Sequence, residues 1–204
     1  MQLPTRDRDD HPASGQTLTA GALTRGTTDL RGYRATTVAW TGVLALLGGA
    51  AQAAWVSNPA DSPGSYLLVW VGVAVAGILT LMLELTSRWN RLPGPRQRAG
   101  LLRTLFTLTP AFAAGGLVTL ALISRGDGSP ALLPGLWMIL FALAIYASLP
   151  RLPRGVGAVG AFYLLAGAAV LCAPAQTSLA PWTMAGVFGI GQLWAAHVLS
   201  GHPE

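Results

Sequence analysis

Few side chains in this chain could do chemistry from within a membrane, and most of those that could lie toward one end of its apolar segments. Glu84 is the one carboxylate inside an apolar stretch, and Arg88 follows it at i+4, the spacing and order that favour a helical ion pair. His197 stands near the end of the last apolar stretch, at a depth similar to that of Glu84, while Tyr146 and Tyr163 fall deeper. Ionisable groups at membrane depth are costly, so together these five residues outline a proton or cation site. A plainer reading of the same residues is preferred. Glu84 would pair with Arg88 at the interface, His197 would reach toward headgroups, and the tyrosines, with Gln52, Thr80, Thr183 and Gln192, would hydrogen-bond between helices.

Other chemistries lack their residues. Cys172 is the single cysteine, so an internal disulfide is excluded, and no CxxC or Cys/His cluster has metal-ligand spacing. There is no HExxH, no GxSxG and no lysine of any kind, which removes the phosphate-binding P-loop. Haem ligation by two histidines would need a second histidine beside His197, but His11 and His202 lie in the tails. Without a second carboxylate at depth, aspartyl-protease and two-metal chemistry are disfavoured. The expectation is a non-enzyme with no cofactor and no metal.

The elements that must position these residues are membrane helices. The chain is 52% hydrophobic and 10% charged, where a soluble domain has about 25% charged residues. Apolar stretches run over 35–56, 66–86, 105–124, 131–149, 156–173 and 181–199, each near the roughly 20 residues that cross a bilayer. The sequence therefore predicts an all-α bundle of six transmembrane helices within residues 35–199. A mostly unstructured tail over residues 1–34 and a short tail over 200–204 flank it, and no secretory signal is expected to be removed.

Arginine sets the orientation, because basic residues are retained on the cytoplasmic side. Arg25, Arg31 and Arg34 precede span one, Arg88, Arg91, Arg96, Arg98 and Arg103 cluster between spans two and three, and Arg151 and Arg154 lie between four and five. The opposite side carries Arg125 alone. Both termini are then cytoplasmic. The net charge of +5 is spread over these connections without an aromatic platform, so anionic lipid headgroups are the expected partners and nucleic acid is not. A membrane-protein partner or a second copy of the chain is the other expected contact.

Short Pro- and Gly-containing connections make consecutive spans antiparallel neighbours. Arg96 to Thr104 is expected to form a short interfacial helix, Pro110 and Pro134 to kink or begin their spans, and Trp55, Trp89 and Trp182 to mark the membrane boundaries, with Trp40, Trp70, Trp137 and Trp194 deeper. Small residues four apart, Gly72 with Ala76, Ala111 with Gly115, Gly157 with Ala161 and Ala185 with Gly189, suit close helix contact. Gly42, Leu46, Leu47, Gly49, Ala50 and Ala51 align without gaps on Gly160, Leu164, Leu165, Gly167, Ala168 and Ala169, which is either an internal repeat or a coincidence of common membrane residues.

The segments TLFTLTPAFAAGGLVTLALI (104–123) and LLPGLWMILFALAIYA (132–147) resemble those of small, uncharacterised bacterial multi-span inner-membrane proteins, some of which are encoded beside winged-helix regulators. The resemblance is carried by a proline with a small-residue run and by a Pro-Gly-x-Trp turn, and covers roughly the second half of the chain. It implies a bacterial inner membrane and brings no activity or site residues. The combined expectation is a structural or regulatory membrane component, with a small transporter or channel subunit using Glu84 and His197 as the alternative.

Overall fold

The computed structural model describes residues 14–59, 61–91, 95–125, 129–153 and 155–201. Residues 1–13 and 202–204 of the expected tails lie outside the described residues, as does the Arg88 side chain. Among the described residues seven α-helices follow one another: α1 (Ser14–Trp55), α2 (Pro63–Arg91), α3 (Pro95–Arg125), α4 (Leu133–Ser148), α5 (Val156–Leu171), α6 (Ala175–Ser178) and α7 (Pro181–Ser200). Short 3-10 turns over Ser129–Leu132 and Leu149–Arg151 bracket α4, and there is no strand among the described residues.

Every long apolar stretch becomes a helix because a bilayer offers no water to unpaired backbone groups. The protein is thus an all-helical chain with helices suited to a membrane. Four of them combine the length and apolarity of a span: Ala35–Trp55 within α1, Pro63–Ser87 within α2, Phe106–Arg125 within α3, and Pro130–Ser148, which includes the turn before α4. The sequence predicted six. α5, at 16 residues, extends only about 24 Å at 1.5 Å per residue, and α7, though 20 residues long, dilutes its apolar residues with Thr183, Gln192, His197 and three glycines.

Other local expectations change. Helix α1 begins at Ser14, ahead of the expected boundary at Ala35, since no proline interrupts 14–55. The segment from Arg96 to Thr104 is not a separate interfacial helix but the first turns of α3, which runs unbroken through Pro110. Pro134, by contrast, starts its helix, at N1/N2 of α4 where a missing N–H costs nothing. The connection 173–180 contains α6, anchored by Ser178, whose hydroxyl donates to Val170 O at 3.0 Å and so satisfies a late carbonyl of α5.

In space the helices run in the order α2, α1, α7, α5, α4, α3, each packed on the next, with α1 against α7 and α4 against α5 the most extensive pairs. Consecutive helices α2 and α3 barely touch. Both of the most extensive pairs approach closely at glycine. Along α1 and α7, a Cβ on Gly42 would stand 3.0 Å from Gln192 Cβ, one on Gly189 would stand 2.7 Å from Leu46 Cδ2, and one on Gly49 would collide with Ala185. At α4–α5, a Cβ on Gly167 would stand 2.8 Å from Gly135 O, a backbone atom that cannot move aside. Of the small-residue pairs noted in the sequence, Ala185 with Gly189 is at such a contact, whereas Gly72 faces open space.

Two predictions follow from this difference. Gly167→Val should lower stability by about 1–3 kcal/mol through overpacking. Gly72→Ala should be neutral or stabilising by up to about 1 kcal/mol through helix propensity. Detergent-titrated unfolding of the two variants checks both.

Candidate functional site

The described residues place polar side chains at two loci. One is at the end of the bundle where α1 finishes and α2 and α7 begin. Gln52 is fully buried there. Its Nε2 donates to Leu179 O at 2.6 Å, and its Oε1 accepts the indole N–H of Trp70 at 2.6 Å. One amide side chain thereby ties α1 to α2 and to the turn between α6 and α7. Thr183 donates to Thr177 O across the same turn. Tyr66 and Trp70 pack at 6.4 Å between ring centroids in a core shared with Leu133, Met138, Leu179 and Met184. The Tyr66 hydroxyl is buried and has no hydrogen-bond partner among the described residues.

The α3–α4 hairpin repeats the device in weaker form. Trp137 Nε1 donates to Thr119 Oγ1 at 3.0 Å. In each case the tryptophan lies in the second helix, 18 residues after its acceptor. Both Trp70 and Trp137 were expected simply to be deep, and both act as hydrogen-bonding pins. Trp40 and Trp194 are exposed, and so are Trp55, Trp182 and Trp89 at the helix ends expected for boundary residues.

The second locus is the one the sequence singled out, and its members are scattered. Glu84 is buried on α2 and takes part in an interaction. His197 is exposed in the last turn of α7. Helices α2 and α7 do not form an extended contact, since α1 packs against both. Tyr146 is exposed on α4 with its ring against Gly160 of α5, where a Cβ would come within 3.2 Å of Cζ. Tyr163 is fully buried. Its ring fills the space left by Gly191 and packs edge-on against Phe141 at 4.9 Å, with Phe188 at 5.2 Å and Phe162 at 5.6 Å. The hydroxyl donates to Phe188 O at 3.3 Å.

These contacts decide what the arrangement can do. Tyr163, once a candidate for a polar pathway, is the centre of an apolar plug joining α4, α5 and α7, with Ala142, Val159 and Ala195 completing it. Thr80 spends its hydroxyl on Ala76 O in its own helix. Gln52 takes the interhelical hydrogen-bonding role that the sequence had left open beside a pocket-lining one, and Thr183 spends its hydroxyl on the turn before α7. No group of three or more His, Cys, Asp or Glu that could hold a metal occurs among the described residues. What sequence reasoning missed is the pairing of Gln52 with Trp70, for which the signal was an amide near the end of one span facing an indole near the start of the next.

No protein-family model, curated protein or solved structure matches the chain.

The Gln52 node makes a quantitative prediction. Gln52→Leu leaves the Trp70 indole N–H and Leu179 O without their partner and should cost about 1–2 kcal/mol. A double-mutant cycle with Trp70→Phe should show coupling on the order of 1 kcal/mol. Tyr66→Phe, which removes an unpartnered hydroxyl, should cause no loss. Reversible unfolding in mixed micelles measures all four variants.

Proposed function

We propose that this chain is a non-enzymatic integral protein of a bacterial inner membrane, crossing it six times with both termini in the cytoplasm. In this reading it serves as a structural or regulatory component that presents an arginine-rich cytoplasmic face. The single observation that carries it is the aromatic plug around Tyr163, which fills the junction of α4, α5 and α7 with rings and leaves no polar side chain of the cluster unsatisfied. Glycine contacts between α1 and α7 and between α4 and α5 support the same closed character. His197 lies on the exterior of α7 instead of converging on Glu84.

Six crossings are supported by the arginine pattern and by the placement of α5 and α7. Each packs against neighbours on two sides, so neither must match the full bilayer thickness alone, and a short apolar helix is accommodated by thinning or by its partners. The transporter alternative retains one favourable observation, the burial of Glu84 at membrane depth.

Two measurements test these proposals. Reporter fusions after residues 60, 127 and 176 should read as external, and fusions after 93, 152 and 201 as cytoplasmic; matching signals on both sides of α5 would remove the six-span topology. For the closed bundle, single cysteines replace Ala142 and Val159 in a Cys172→Ala background. Both should resist membrane-impermeant maleimide from either side, while His197→Cys reacts. Rapid labelling at Val159→Cys would instead favour the transporter.

A further inference from the structure

The gap-free match between residues 42–51 and 160–169 is one part of a longer pattern that the helices make visible. A shift of 67 positions carries Gly48, Gly49, Ser57, Ser62, Pro63 and Trp70 of the α1–α2 hairpin, without a gap, onto Gly115, Gly116, Ser124, Ser129, Pro130 and Trp137 of the α3–α4 hairpin. The same shift carries the hydrogen bond between Trp70 and Gln52 onto that between Trp137 and Thr119. A further shift of 51 carries Gly116, Pro130 and Trp137 onto Gly167, Pro181 and Phe188 of the α5–α7 hairpin. In all three hairpins the glycine precedes the proline by 14 residues. Common membrane residues would not by themselves reproduce a hydrogen bond at matched positions.

Packing between hairpins follows the same scheme. Gly49, in the first helix of its hairpin, lies where an added Cβ would collide with Ala185 of α7, the second helix of another. Gly167, in the first helix α5, lies against the second helix α4, where a Cβ would stand 2.8 Å from Gly135 O and from Ile139 Cγ1 and 3.0 Å from Met138 Cβ. The third glycine of the set, Gly116 of α3, would meet no atom within 4 Å, and α2 is the second helix that covers no member of the set. Carried back by the same shifts, Met138 and Ile139 against Gly167 become Val71 and Gly72 against Gly116. Val71 and Gly116 are exposed, and a Cβ on Gly72 would also meet nothing within 4 Å. Depth agrees with this register. Ile139 lies 9 residues before the end of α4 and Gly167 11 after the start of α5, while Gly72 lies 19 before the end of α2 and Gly116 21 after the start of α3, so both pairs carry the same two-residue stagger. Three residues separate α2 from α3 in the chain, and Tyr66 and Leu67 of α2 belong to a core on which Val118 and Leu122 of α3 also pack.

We propose that the bundle is built from three tandem hairpins and that α2 and α3 close on each other, Val71 and Gly72 meeting Gly116 in the register α4 and α5 already use. The structure shows this third interface open. Without a Cβ on Gly72 or Gly116, the two backbones can approach as closely as small residues allow. The pair is thus a two-position device: closed, it completes a ring of six helices, and open, it leaves α2 packed on α1 and α3 packed on α4.

Disulfide trapping of the full-length chain in native membranes, in a Cys172→Ala background, tests the closure. V71C/G116C places thiols at the counterparts of Met138 and Gly167, and L68C/L120C places them one turn farther along both helices, at exposed leucines only. Under mild oxidation, with free thiols counted by mass-tagged maleimide, both pairs should bond within one chain about tenfold faster than L83C/G116C, whose first thiol lies about 18 Å farther along α2. Gly72→Leu added to L68C/L120C should slow the bond about tenfold by holding the helices apart. Gly77→Leu adds the same bulk at another open position, about 140° around the helix, and should leave the rate unchanged. Circular dichroism of the reduced proteins should show equal helix content throughout. No bond within the chain in either pair, an equal rate in L83C/G116C, or indifference to Gly72→Leu would overturn the closure. Dimers joined between co-expressed Leu68→Cys and Leu120→Cys chains would overturn it too, since a second copy would then cover these faces.

Discussion

Apolar helices in a bilayer gain nothing from hiding from lipid, because the acyl chains are as apolar as their own side chains. What holds such a bundle together must be close packing or hydrogen bonding, and both are visible in particular places. Gly42, Gly49 and Gly189 let α1 and α7 approach until the backbone of one meets the side chains of the other, and Gly135 with Gly167 does the same for α4 and α5. Gln52 adds the polar tie: a primary amide with donor and acceptor both used, spanning three elements from one buried position. An unpaired amide in hydrocarbon is expensive, so this node resists separation of α1 from α2 more strongly than apolar contact would.

The same constraint explains why the interior is aromatic. Where helices come close at glycine, space opens for a large ring on the facing helix, and Tyr163 occupies the space over Gly191. Phe141 and Phe162 then arrange edge-on around it, the geometry aromatic quadrupoles favour, and Phe188 packs against it at a tilt. The junction of α4, α5 and α7 is filled by these rings. Packing around it is uneven: α5 and α7 are enclosed by neighbours on two sides, while α2 packs chiefly on α1 and α3 chiefly on α4.

Much of the fold was legible in the sequence, and the reason is hydropathy. Uninterrupted apolar runs bounded by Pro and Gly name the long helices and give α4 and α5 close to their ends, with Pro134 announcing the start of α4, whereas α1 and α3 begin at Ser14 and Pro95, well ahead of the runs at 35 and 105, because their polar first turns carry no apolar signal. The candidate site was far less legible. Depth along a helix can be read from position, which is why Glu84 and His197 looked like neighbours, but direction around the helix cannot be read when a segment is apolar on every side. His197 points outward from α7 and Glu84 is buried on α2, two helices apart. Tyr163 was legible as a polar atom and illegible as a packing ring, since its role depends on Gly191, 28 positions away. Helix α6 escaped because it is a single turn set by Ser178 and the flanking prolines, too short to leave a periodic signal.

Hydrogen–deuterium exchange of the protein in lipid nanodiscs tests most directly whether the bundle is closed along its length. Amides from Gly42 to Gly49, Gly160 to Gly167 and Ala185 to Gly191 should be strongly protected, with exchange confined to helix ends and connections. Fast exchange running through α5 and α7 at the level of Tyr163 would mean that water reaches the centre, and the account of a sealed, glycine-packed bundle would be contradicted.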